Sequence, residues 1–201
     1  MERPLPHPRH RHQVCLLALA LAALPAGTRA ATNFLAGADL SLLAWFESQG
    51  VAYRTNGGAG DALALLKSQG VNCVRLRLFT SSATQAAADP YDYENNLAYT
   101  IPLAVRVKTA GLQFLLDFHY SDTWADPGHQ AVPPTWAPAD LASLTNQVRA
   151  YNSNCLAAFR AAGTPPDFVQ IGNAITGGRL WPGAPCRPRM PLSNGGSSAS
   201  C

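Results

Sequence analysis

The sequence predicts an α/β chain: four strand–helix units whose alternation requires a parallel sheet with right-handed crossovers, the wall of a (β/α) barrel. Three observations carry this reading. Among several short apolar runs, Val74-Arg75-Leu76-Arg77-Leu78-Phe79 carries arginines and Phe168-Val169-Gln170-Ile171-Gly172-Asn173 ends in a polar amide. Helix-like stretches lie between the runs, and each is followed by a glycine: Gly50, Gly70, Gly111 or Gly163. Glycine ends a helix readily because it enters the left-handed conformation without steric cost. Finally, polar groups collect at the C-terminal ends of the runs, where barrel enzymes place their chemistry.

The elements follow in order. Asn33 to Asp39 is a first strand ending in an acid, and Ser41 is expected to cap a helix that runs to about Gln49. Asn56-Gly57-Gly58-Ala59-Gly60 is expected to be a loop. It is no phosphate cradle, since no Lys-Ser/Thr follows. Asp61 caps a second helix, and a second strand covers Cys73 to Leu78. Thr80 to Pro90 is expected to be loop, and a third helix occupies much of Glu94 to Ala110. Pro102 is tolerated only in a first turn, so either Thr100 is the true N-cap or the helix kinks. The third strand surrounds Leu115, Asp140 caps a long helix to about Ala162, and Phe168 opens the fourth strand.

Composition narrows the function. The 201 residues are 47% hydrophobic and 13% charged, enough for one globular domain with a sizeable core. The formal charge of +3 arises in residues 1–30, where Arg3, Arg9, Arg11 and Arg29 face only Glu2. The rest is balanced, so a nucleic-acid surface is disfavoured and a neutral substrate fits better. Residues 1–30 read as a secretory signal: a basic start, an apolar stretch from Val14 to Leu24 too short to span a bilayer, and small residues at Thr28 and Ala30. The chain is therefore expected to be secreted, with no membrane attachment after cleavage. Residues 31–182 form the barrel part, and residues 183–201, rich in Pro, Arg, Gly and Ser, read as a disordered tail. Cys73, Cys155, Cys186 and Cys201 show no zinc spacing, and no metal or other cofactor is expected. There is no Asn-x-Ser/Thr acceptor.

The most informative stretch is Phe114-Leu115-Leu116-Asp117-Phe118-His119-Tyr120-Ser121-Asp122-Thr123-Trp124-Ala125-Asp126-Pro127. It begins as a buried strand and turns at once into acids, a histidine and aromatics, the pattern of a strand that ends in an active-site loop. With Gly37-Ala38-Asp39, Val74-Arg75-Leu76-Arg77, Ile171-Gly172-Asn173-x-Ile175 and Leu180-Trp181-Pro182, it resembles glycoside hydrolase family 53 from about Phe34 to Pro182. The resemblance implies the N-terminal half of a (β/α)8 TIM barrel, four β/α units of a secreted endo-β-1,4-galactanase that retains configuration. It implies β-1,4-galactan or arabinogalactan, as in pectin side chains, as the partner.

By the same resemblance, Asn173 would hydrogen-bond the sugar 2-hydroxyl and Arg77 would orient the nucleophile. Asp39, His119, Asp122 and Asp126 would line the cleft, while Trp124 and Trp181 would offer faces for pyranose rings. Retaining hydrolysis needs two carboxyls about 5–5.5 Å apart. The family's acid/base glutamate follows that asparagine, and here the position is Ala174. The nucleophile would come from a seventh strand, beyond the four units. Glu47 and Glu94, the only glutamates after the signal, both fall on expected helices. An inactive enzyme or a galactan binder without catalysis is therefore expected, and half a barrel would self-associate edge to edge.

Overall fold

The computed structural model of the chain describes residues 34–137, 139–175, 178–180 and 184–185. The chain forms β1 (Gly37–Asp39), α1 (Leu43–Ser48), β2 (Tyr53–Thr55), β3 (Gly58–Gly60), α2 (Ala62–Ser68) and β4 (Cys73–Leu78). It continues through α3 (Ala83–Ala88), α4 (Pro90–Tyr93), α5 (Leu97–Thr109), β5 (Gln113–Phe118), α6 (Leu141–Ala161) and β6 (Phe168–Ile171). Gly178–Arg179 pairs with Ala184–Pro185 in a short antiparallel ladder; the rest of the expected tail and the expected signal lie outside the described residues. β1, β4, β5 and β6 stand side by side in that order, every neighbouring pair parallel.

Alternation along the two central strands fixes the layers. Side chains of a strand point to opposite faces in turn. Val74, Leu76 and Leu78 of β4 and Phe114, Leu116 and Phe118 of β5 are wholly buried. They form one core with Leu103, Ala104 and Val107 of α5 and with Leu144 and Phe159 of α6. The residues between them, Arg75, Arg77 and Asp117, therefore lie on the other face. The register sets Asp39 beside Arg75, Arg77 beside Asp117, and Asp117 beside Gln170. Along β4 and β5 one face of the sheet is apolar and packed against helices; the other carries the charged side chains.

Local chemistry sets the helix starts. The carboxylates of Asp61 and Asp140 and the amide oxygen of Asn96 each accept a backbone N–H from the first turn, at Ala64, Ser143 and Tyr99. The expected cap at Thr100 is corrected: Asn96 caps α5, Pro102 lies inside it, and the buried Thr100 hydroxyl donates to the carbonyl of Arg77. Ser41 likewise does not cap α1, because its hydroxyl is drawn to Asp39. Residues 56–60 are not simply loop, since Gly58–Gly60 pairs with Tyr53–Thr55 in a hairpin. The expected loop from Thr80 to Pro90 contains α3, held by a capping box in which Ser82 and Gln85 cap each other's backbone.

β6 has one sheet neighbour among the described residues. Its apolar side chains remain open, with Phe168 at 36%, Val169 at 41% and Ile171 at 43% exposure. Among the described residues no helix is long and apolar enough to cross a membrane.

Candidate active site

The polar face is organised by Arg75. Its guanidinium reaches Asp39 Oδ2 at 2.5 Å, Asp117 Oδ2, and Asn173 Oδ1 at 2.8 Å. One planar fork thus joins β1, β5 and the turn after β6, a span that a lysine's single ammonium could not cover. Asp117 is fully buried, and Arg75 is its ion-pair partner. Asp39 also accepts from Arg77 Nε at 3.1 Å and from the hydroxyl and backbone N–H of Ser41 at 2.7 and 3.1 Å. Burial pushes the Asp39 carboxyl up, but the Ser41 hydroxyl, Arg77, the Ser41 amide and Arg75 together leave it below its ordinary value of 3.8.

Asn173 follows β6 in a turn where Gly172 has φ of 88° and Ala174 has φ of 50°. A left-handed conformation in a residue with a Cβ is strained, and such residues cluster at functional turns. The Asn173 amide nitrogen donates to Ala125 O at 2.6 Å, and its oxygen accepts from Arg75 and from Gln170 Nε2. Gln130 Nε2 donates to the Asn173 and Asp126 carbonyls at 2.7 and 3.0 Å. An amide nitrogen carries two N–H groups, so one remains for a ligand hydroxyl. Ala174 brings only a methyl group to the next position.

His119 does not line an open cleft. It is 1% exposed and packs between Phe79 and Trp124, with ring centroids 5.0 and 5.4 Å away. Its Nδ1 accepts the Ala125 N–H at 3.0 Å, while Nε2 stands 2.9 Å from Asp117 Oδ2 without meeting hydrogen-bond geometry. The imidazole therefore supports the Ala125 turn and the underside of Trp124. Trp124 itself is 45% exposed, and the Arg77 guanidinium lies 4.4 Å from its ring centroid. That arginine binds Asp39 and Trp124 at once.

Asp122 fixes the rim rather than facing a ligand. Its two oxygens accept from Thr80 Oγ1 at 2.6 Å and Gln85 Nε2 at 2.8 Å. Asp126 accepts from the Gly128 amide at 2.7 Å and pairs with His129 Nδ1 at 2.8 Å, and these contacts, the Gly128 N–H foremost, hold its carboxyl low. Trp181 lies outside the described residues. The structure thus gathers Asp39, Arg77, His119, Trp124 and Asn173 around one cluster. It adds Arg75 and Asp117 as the residues that bind that cluster together. Sequence reasoning gave Arg75 no role, because the register that sets it beside Asp39 is not local information. Gln130 carried no sequence signal at all. No group of three His, Cys, Asp or Glu side chains among the described residues could hold a metal ion.

Comparisons with known proteins address the same region. The profile of "Glycosyl hydrolase family 53" matches residues 35–190. A probable arabinogalactan endo-β-1,4-galactanase A of Neosartorya fischeri is 42% identical over 73% of this chain and 39% of its own length. An arabinogalactan endo-β-1,4-galactanase of Thermothelomyces thermophilus is also 42% identical, over 73% of this chain and 42% of its own. The chain spans about two fifths of the length of these relatives. Among solved structures, a fungal β-1,4-galactanase superposes with a TM-score of 0.67 at 41% identity, covering 74% of this chain and 42% of that one. The family 53 catalytic domain of Ignisphaera aggregans gives 0.70 at 36% identity, over 76% and 43%. The four parallel β/α units are part of the TIM barrel of those enzymes, and the chain belongs to glycosyl hydrolase family 53.

Proposed function

We propose that this chain is a secreted, galactanase-type protein that holds β-1,4-galactan, as in the side chains of pectin, without cleaving it. The single observation behind this reading is the turn Asn173-Ala174. The side-chain amide that faces the sugar in the family pattern is held by Arg75, Gln170 and Ala125, and Gln130 fixes the main-chain carbonyl of the same residue. The next residue has no titratable group. General acid catalysis contributes roughly 10²–10⁴-fold, and a methyl group supplies none of it. The two glutamates in the barrel part offer no substitute. Glu47 sits on α1 and forms a bidentate ion pair with Arg106, at 2.6 and 2.9 Å. Glu94 follows α4, and burial raises its pKa.

Binding needs no glutamate pair. Trp124 is nearly half exposed and Asn173 keeps a spare N–H, the apolar and polar parts of a sugar site. The test uses the full chain with galactan and with β-1,4-galactotetraose. Release of reducing ends is expected to stay at the buffer rate, while calorimetry shows saturable heat with the tetraose. Turnover comparable to a full-length relative would overturn the inactive reading. Absence of heat at millimolar sugar would overturn binding.

A further inference from the structure

We infer a second sugar position, between Tyr91 and Trp124, lined by none of Arg75, Asp117 or Asn173. It rests on the galactan reading above and extends it outward from the same cluster, with which it shares Arg77 and Trp124. A cavity of about 260 Å³ opens where the segment after β4 meets α4, bordered by Arg77, Phe79, Tyr91, Asp92, Asn95 and Trp124. That volume suits one hexose ring rather than a chain.

Its lining has the composition that a neutral pyranose requires. Tyr91 is 54% exposed and Trp124 is 45% exposed, so two large aromatic rings stand in water at the mouth. The C–H face of a sugar would remove that apolar surface from solvent. Phe79, 3% exposed, supplies an apolar floor.

The polar groups are few and complementary to hydroxyls. Asp92 is a carboxylate acceptor. Arg77 is a donor whose charge is already balanced by Asp39 and whose guanidinium carbon sits 4.4 Å from the Trp124 ring centroid. Asn95 is only 1% exposed, yet its Oδ1 has no hydrogen-bond partner. A buried acceptor left unmatched is uncommon because it loses its water without replacement, and a ligand hydroxyl would restore the bond. Carboxylated or phosphorylated sugars fit badly, since Asp92 would repel them and Arg77 is already engaged. A neutral hexose such as galactose remains.

Trp124 also borders a larger cavity of about 480 Å³ on the side of Ser121, Gly128 and Gln130. Trp124 therefore borders both cavities, and an oligosaccharide that engages both would bind more tightly than one confined to either.

The decisive experiment is calorimetry of the full chain with β-1,4-galactotetraose, wild type beside Tyr91→Ala, Asn95→Ala and Asn95→Asp. Far-UV circular dichroism and urea midpoints check that each variant folds. Tyr91→Ala and Asn95→Ala are expected to weaken binding about tenfold, while Asn95→Asp, which keeps an acceptor, stays within about threefold of wild type. Should Asn95→Ala fail to fold, Tyr91→Ala alone decides. Wild-type binding with Tyr91→Ala unchanged within twofold would overturn this second position and leave the galactan reading intact. No binding by the wild type would overturn both.

Discussion

Truncating Arg75 removes its contacts to Asp39, Asp117 and Asn173 together, and leaves the fully buried Asp117 carboxylate without its cation. Removing one partner of such a pair costs far more than the pair contributes, because an uncompensated charge stays in a medium that cannot solvate it. Arg75→Ala is therefore expected to destabilise the chain by about 3 kcal/mol in urea unfolding. Arg75→Lys should recover only a minor part of that loss, since an ammonium cannot reproduce the planar fork. A loss below about 1 kcal/mol for the alanine variant, the worth of an exposed pair, would show that solvent reaches Asp117.

At the scale of elements, the tie between α1 and α5 is sensitive to alkali. The Tyr99 hydroxyl oxygen, on α5, accepts the backbone N–H of Trp45, on α1, at 3.0 Å. Burial, with Glu94 and Glu47 nearby, pushes the phenol up to about 12 despite that N–H. A folded pKa above the unfolded one means that stability is fully present below about pH 10 and is lost as pH rises through about 12. The wild-type urea midpoint is expected to fall across this window and that of Tyr99→Phe to fall less. An equal fall in both would assign the loss to other groups. What could be read from sequence at this scale follows the same logic of locality. The caps at Asp61 and Asp140 and the four glycine stops lie within a few residues of what they end, and they were legible. The β2–β3 hairpin was not, since its glycines look like a loop until Tyr53 is set opposite Gly60. Nor was α3, a run of Ala, Thr and Gln with no apolar period, whose capping box alone marks its start. The polar cluster was legible as residue types at strand ends. Its wiring was not, because that depends on the β1–β4 register and on main-chain partners such as Ala125 O.

For the molecule as a whole, the outer side of β6 is the exposed seam, with Val169 and Ile171 open to solvent beside a strand that has one sheet neighbour among the described residues. A parallel sheet is ordinarily covered on both faces. Wild-type protein is expected to self-associate with rising concentration in sedimentation velocity, and Val169→Lys to shift it toward monomer by setting a charge on that edge. A wild type monomeric at every concentration would remove the seam as an association surface. The segments after β4 and β5 behave differently, because they are stitched together. Thr80 N donates to Ser121 O at 2.9 Å, Thr80 Oγ1 to one oxygen of Asp122, and Gln85 Nε2 to the other. The helix that Gln85 helps to start thus hangs on the same carboxylate that restrains the opposite segment. Neither can peel away alone, so the cleft mouth opens as one cooperative unit. In native-state hydrogen exchange the amides of Thr80 and Gln85 are then expected to share a single opening free energy, and Asp122→Ala to lower both together.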